Sequence, residues 1–325
     1  MRLLLVGTSL ITGALAQAPT GVSSELNRVD ELVNSGRYSE ATRLADSIVW
    51  RLPGLEKEGY SVVFLTYLAK AAVEQGHMKE ALTRFESAEA ANARSDKRYH
   101  PALIREKAAL LYAAGEFRLA GELAGQAHRA MVSIRASTLR AEYCRSLQAL
   151  ALLRSGRTSE AEYLAMMATK VLPKKLGDHP FFAPRILYAA CVTTAHAGKF
   201  AAAEKFCRRG LDAALATKNE TRDLVLGHLA YAEYWLQAGD LEKSRESAMT
   251  ASSITKRLFG DQHQDSVEAL VILAAVDRKE GRSGDARSKV GEAVAIATAM
   301  FGKGSAAAAV PARALEVGSG RPQRD

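Results

Sequence analysis

Apolar residues recur along this chain at intervals of three and four rather than two. Val62, Val63, Leu65, Leu68, Ala69 and Ala72 form one such stripe; Leu224, Val225, Leu229, Ala232 and Leu236 form another. That period predicts amphipathic helices. Between the stripes stand short polar stretches, each opened by glycine: GRYSEATRL at 36, GHMKEALTR at 76, GEFRLAGEL at 115, GRTSEAEYL at 156, GKFAAAEKF at 198, GDLEKSRES at 239 and GRSGDARSK at 281. The glycines are spaced by 40, 39, 41, 42, 41 and 42 residues. A fixed period of this size marks a repeat array.

Aligning the units on their glycines exposes recurring small residues. Seven positions before stand Val29, Ala69, Ala108, Ala149, Cys191, Ala232 and Ala274. Five after stand Ala41, Ala81, Ala120, Ala161, Ala203, Ser244 and Ala286, and twelve after stand Ile48, Ala88, Ala127, Ala168, Gly210, Ala251 and Ala293. Small side chains at fixed sites on two helices let their backbones approach closely. A glycine between them takes positive φ and ends the first helix. Each unit is therefore expected to be a helix, a tight turn and an antiparallel helix. One hairpin cannot bury its own apolar faces, whereas stacked neighbours can. The expected fold class is all-α, an α-solenoid of about seven repeats over residues 23–303. Residues 304–325 are expected to form a short capping helix near Ser305 to Leu315 and a disordered tail.

The turn residues resemble those of the tetratricopeptide repeat family, in which glycine is followed two residues on by an aromatic or large apolar side chain and then by alanine. Gly36-Arg37-Tyr38 with Ala41, Gly115-Glu116-Phe117 with Ala120 and Gly198-Lys199-Phe200 with Ala203 match, and Gly76-His77-Met78 with Ala81 is close. Thr158, Ser283 and Ser244 depart from the pattern. The period exceeds the family's usual ~34 residues and is similar to the longer variant, about 42, of kinesin light chains and many bacterial repeat proteins. That variant joins its units through Leu-Gly-x-x-His-Pro-like linkers; KKLGDHP at 174–180 and KRLFGDQHQD at 256–265 are similar, and AMFGKGS at 299–305 is similar to a decayed copy. The resemblance implies a right-handed superhelix whose first helices line a concave groove.

Composition agrees with closely packed helices: aromatics are 6% and prolines number 8 in 325 residues. The net charge of +8 is scattered among interleaved acids and bases, so the surface reads as solvated and no nucleic acid is expected as a partner. The N-terminus, MRLLLVGTSLITGALAQAPTG, places Arg2 before an apolar run from Leu3 to Ala16. This is the layout of a secretory signal peptide over residues 1–18, cleaved after Ala16 or Ala18. The run is shorter than the roughly 20 residues of a spanning helix, so no transmembrane segment is expected after cleavage. The mature chain is expected to be exported, periplasmic or secreted.

No catalytic constellation emerges. HExxH, GxSxG, P-loop and dinucleotide-binding glycine patterns are all missing, and the seven histidines are not paired at metal spacing. No catalytic residue, metal or cofactor is expected. His179 and His263 fall in the linkers, where each reads as a helix cap that packs on the next unit rather than as a ligand. Cys191 and Cys207 lie seven before and nine after Gly198, at one height on facing helices. Export permits a disulfide there; the other reading is two small buried side chains. Cys144 stays unpaired either way.

Family geometry places groove residues about ten, six, three and two positions before each turn glycine. Those offsets select Lys70, Arg105, Tyr112, Leu150, Arg154, Tyr188, His196 and Glu233 as candidates, a mixture of tyrosine, leucine and arginine suited to binding hot spots. By analogy the chain is expected to be an exported, non-enzymatic scaffold or adaptor with a protein or peptide ligand in its groove. The alternatives are an accessory subunit of an envelope protease or secretion complex, and a basic-surface binder of nucleic acid or a small ligand.

Overall fold

The computed structural model describes residues 20–34, 36–48, 59–97, 99–136, 138–173, 182–216 and 220–316. The expected signal peptide, the first linker with His179 and the tail past 316 lie outside the described residues. Within them are fifteen helices and no strand. Fourteen pair as hairpins around the seven glycines: α1 (Thr20–Asn34) with α2 (Tyr38–Asp46), α3 (Tyr60–Glu74) with α4 (Met78–Arg94), α5 (His100–Ala113) with α6 (Phe117–Ser133), and α7 (Thr138–Arg154) with α8 (Thr158–Thr169). Then follow α9 (Phe182–His196) with α10 (Phe200–Leu215), α11 (Arg222–Ala238) with α12 (Leu241–Phe259), α13 (Gln264–Lys279) with α14 (Ser283–Phe301), and a single α15 (Ala306–Glu316).

Every hairpin turn is built alike. The glycine has φ between +75° and +88°, and the residue after it donates its N–H back to the carbonyl five positions earlier. Arg37 reaches Leu32 at 2.8 Å, Lys199 reaches Thr194 at 3.1 Å and Arg282 reaches Asp277 at 2.8 Å. This closure satisfies carbonyls that the helix end would otherwise orphan. The second helix begins one residue later. Its small residue five after the glycine is buried in every unit, as is the site seven before. Ser244 shows that these two sites face each other: its hydroxyl donates to the Ala232 carbonyl at 2.8 Å.

The first helices of successive hairpins pack on one another from α1 through α13 to α15 and form the inner layer; each second helix packs against the first helix of the next unit. The superhelix winds until its seventh hairpin meets its second. α14 touches α4, and Met300 joins the buried cluster of Val62, Phe64 and Phe85, with Phe259, Ile296 and Phe301 packed against it. Two turn glycines sit at this seam. A Cβ on Gly76 would lie 2.8 Å from the Gln262 carbonyl oxygen, and one on Gly115 would lie 2.9 Å from the backbone of Ala306 and Ala307. The solenoid therefore closes into a ring around a central space.

Candidate functional site

That space is a cavity of about 580 Å³, walled by the inner helices α3, α5, α7, α9, α11 and α13, with α14 and α15 contributing at the seam. Among the groove candidates, Lys70, Tyr112, Leu150, Arg154, Tyr188, His196 and Glu233 line it. Arg105 does not. Its side chain is 4% exposed, its Nε donates to Glu106 Oε1 at 2.7 Å, and its guanidinium lies 5.8 Å from the Phe182 ring centroid. The adjacent Glu106 faces the cavity instead. Leu150 and Tyr188 are only 7% and 5% exposed, so they serve as wall and core at once.

Five of the candidates meet in one network. Arg154, at the end of α7, reaches across to Glu233 of α11 through Nη1–Oε1 at 2.8 Å and Nη2–Oε2 at 3.2 Å. Its Nη2 also donates to Glu268 of α13 at 2.9 Å, and its Nε lies 3.3 Å from the Tyr112 hydroxyl. The Tyr188 hydroxyl donates to Glu268 at 2.6 Å, and His196 Nε2 lies 2.9 Å from Glu233. Burial works to raise the Glu233 carboxyl, but Arg154 and His196 outweigh it and hold the group at about 2. Burial pushes the Tyr112 hydroxyl up to about 12, so it stays protonated.

A second network closes the ring. Glu74, the last residue of α3, is gripped by Arg185 of α9 through Nη1–Oε1 at 2.7 Å and Nη2–Oε2 at 3.0 Å, and by Arg222 of α11 at 2.9 Å. Arg185 Nε donates to Asp223 at 2.9 Å, and Arg222 grips Asp265 with two bonds of 2.8 Å. Burial works to raise Glu74, but the two guanidiniums together hold it well below the usual carboxylate range. The His263 ring, fully buried and stacked on Phe259 at 4.4 Å, accepts the Asp265 N–H at Nδ1, so its Nε2 carries the hydrogen donated to the Glu74 carbonyl at 3.1 Å. His263 thus caps α13 as expected, but it packs on hairpin two across the ring, not on the next unit. Beside this network, burial lowers the Lys70 ammonium to about 8 against the opposing pull of Glu106 and Glu74.

Arg185, Glu268, Arg222 and Asp265 escaped the sequence reading. Arg185 and Glu268 lie thirteen before their glycines and Arg222 seventeen before. The four offsets used cover only the last three turns of each inner helix. Continuing the same stripe by one and two turns reaches these residues, since the cavity face runs the full helix length. Cys191 and Cys207 are joined by a disulfide, with Cα atoms 5.1 Å apart, tying α9 to α10; Cys144 is buried and free. Among the described residues no group of three His, Cys, Asp or Glu side chains is arranged to hold a metal, and no helix is long and apolar enough to cross a membrane.

No protein-family model matches the chain, and no curated protein matches it significantly in sequence. Solved structures do resemble it. A Rap protein complexed with competence and sporulation factor superposes with a TM-score of 0.66 at 13% identity, over 88% of this chain and 79% of that one. NprR in complex with its cognate peptide NprX gives 0.63 at 9% identity, over 93% and 85%. These are helical repeat superhelices, and here every hairpin turns at a glycine with buried residues five after it and seven before it. The fold is the tetratricopeptide-repeat solenoid. The apo form of the quorum sensor NprR from B. thuringiensis is also similar, with a TM-score of 0.52 at 12% identity, over 88% and 91% of the two chains.

Proposed function

We propose that this solenoid is a non-enzymatic scaffold that takes a peptide, or an exposed segment of a partner protein, into its central cavity. The observation that carries the reading is the closed ring: inner helices from six hairpins converge on one space with a few oriented polar groups in an apolar wall, as binding sites require. Its likeness to NprR with a cognate peptide bound exceeds its likeness to apo NprR, 0.63 against 0.52, which supports a ring in the form that encloses a ligand. We also propose export. The leader-like N-terminus supports it, and so does the Cys191–Cys207 disulfide, which an oxidising compartment preserves. Intact mass of the exported chain should begin at Gln17 or Pro19; a retained Met1 overturns that part.

The test of binding fills the cavity. Ala109 lines it and is not fully buried. Peptides captured by the wild-type chain from a digest of envelope and secreted proteins are resynthesised and titrated. A genuine ligand raises the melting temperature at one-to-one stoichiometry, and Ala109→Trp removes that shift while the chain stays helical. Captured peptides that bind Ala109→Trp equally well place the site elsewhere.

A further inference from the structure

Two carboxylates of the cavity, Glu106 and Glu268, take all their bonds on one oxygen, and Glu106 is paired with its own chain neighbour Arg105. Both hydrogen bonds of Glu268, from the Tyr188 hydroxyl at 2.6 Å and Arg154 Nη2 at 2.9 Å, end on Oε1. Oε2 has no partner among the described residues, and the side chain lines the cavity. The facing Glu233 is different, with both oxygens engaged by Arg154 and His196. One guanidinium, Arg154, is shared between two carboxylates, Glu233 and Glu268, and the ring of His196 is placed on Glu233 alone.

Of the other cavity cations, Lys70 lies against Glu106 and Glu74, and Arg278 lies ten residues further along α13, about 15 Å at a helix rise of ~1.5 Å per residue. Arg185 and Arg222 are committed to Glu74, Asp223 and Asp265. Lys279 donates to the Leu236 carbonyl and lies eleven residues further along α13, about 16 Å at a helix rise of ~1.5 Å per residue. Val271 and Ile272, one turn along α13 from Glu268, also line the cavity. They offer apolar surface to the aliphatic stem of a long basic side chain. Burial and the neighbouring Glu233 raise the Glu268 carboxyl, the direction expected of an anion that lacks compensation.

Resting on the peptide-binding reading above, we infer that the ligand carries a cationic group, a guanidinium or an ammonium, which docks on Glu268 Oε2. The cation completes the Arg154–Glu233–Glu268 network. A charge-assisted hydrogen bond in this setting gives roughly a ten- to hundredfold preference.

The experiment uses N-acetylated, labelled six-residue peptide mixtures in which one position is fixed as Arg, Lys, Gln or Glu and the rest are randomised. A further Gln-fixed set keeps its free N-terminal amine. Binding to the wild-type chain and to Glu268→Gln is read by fluorescence polarisation, and helicity and melting are followed by circular dichroism. The expected result is at least tenfold tighter binding of one cationic set over the acetylated Gln set. The winning set tells whether the cation is guanidinium, side-chain ammonium or terminal amine. Glu268→Gln should erase that preference while helicity and melting stay near those of the wild type. Equal binding of all sets to the wild type overturns the inference while leaving the peptide reading in place, as does a cationic preference that survives Glu268→Gln. No binding by any set overturns both.

Discussion

A single glycine in each turn carries two different demands. All seven occupy the left-handed region, where a Cβ costs about 1–2 kcal/mol. At Gly156, with φ of +80° and nothing within 4 Å of a built Cβ, that is the whole demand. Gly76 has φ of +78° and in addition faces the Gln262 carbonyl, a backbone atom that cannot step aside. Gly156→Ala should therefore cost about 1–2 kcal/mol in urea unfolding, and Gly76→Ala about 1–3 kcal/mol more from the forced backbone shift. Equal losses would mean that the seam between hairpins two and seven is looser than the structure describes. The repeat pattern cannot distinguish these two glycines, because they have the same local role and only distant neighbours differ.

Within the hairpin, the spacing of small residues fixes how closely two helices meet. Hairpin five adds a covalent tie, and α9 carries Arg185 and Tyr188, so the tie steadies a helix used by both cavity networks. The native chain should show one reactive thiol after unfolding, from Cys144, and three after reduction. Closing a loop over a sequence separation of 16 stabilises by about 3 kcal/mol in the chain-entropy account. Reduction should therefore lower the unfolding midpoint measurably, whereas three thiols in the unreduced chain would remove the tie from the structure. The facing of residues seven before and nine after the glycine was legible in the sequence, because both helices have a fixed rise and the turn fixes their phase. Bond formation itself remained open at that level, since two small buried cysteines satisfy the same spacing.

At the scale of the whole molecule, Glu74 holds the ring shut. Removing its charge leaves Arg185 and Arg222 buried with fewer partners, and breaking a buried pair in this way costs about 3–5 kcal/mol. Glu74→Gln should raise the radius of gyration in small-angle scattering while helicity by circular dichroism stays near that of the wild type. A ring equally compact in Glu74→Gln would put the closure in the apolar seam around Met300 instead. Acid should act in the same direction. The folded-state values of Glu74 and Asp265 lie below the ordinary carboxylate values of 4.5 and 3.8. Their stabilisation is therefore full above those values and is lost as pH falls through the folded ones. His263, lowered by burial from 6.5, is stabilising when neutral, so its share begins to fade below about 6.5. Asp223, raised by burial, has the opposite sign and offsets a part. Opening should thus start in mildly acidic buffer and steepen below pH 4.5; scattering that is constant from pH 7 to 3 would contradict the assignment.

The sequence by itself determined the units. Helix period, turn glycines and small facing residues are all local, and each acts over a few residues whatever the rest of the chain does. It also reached Lys70, Tyr112, Leu150, Arg154, Tyr188, His196 and Glu233, because residues on one face of an inner helix share a fixed offset from the turn. It misplaced Arg105, whose offset is right but whose charge is drawn to the adjacent Glu106. Only the tertiary structure decided that the solenoid closes. Closure joins Glu74 to Arg185 and Arg222, 111 and 148 residues away, through a superhelical rotation accumulated unit by unit. No single repeat records that sum. The same closure turned a groove into a cavity and left one oxygen of Glu268 facing it.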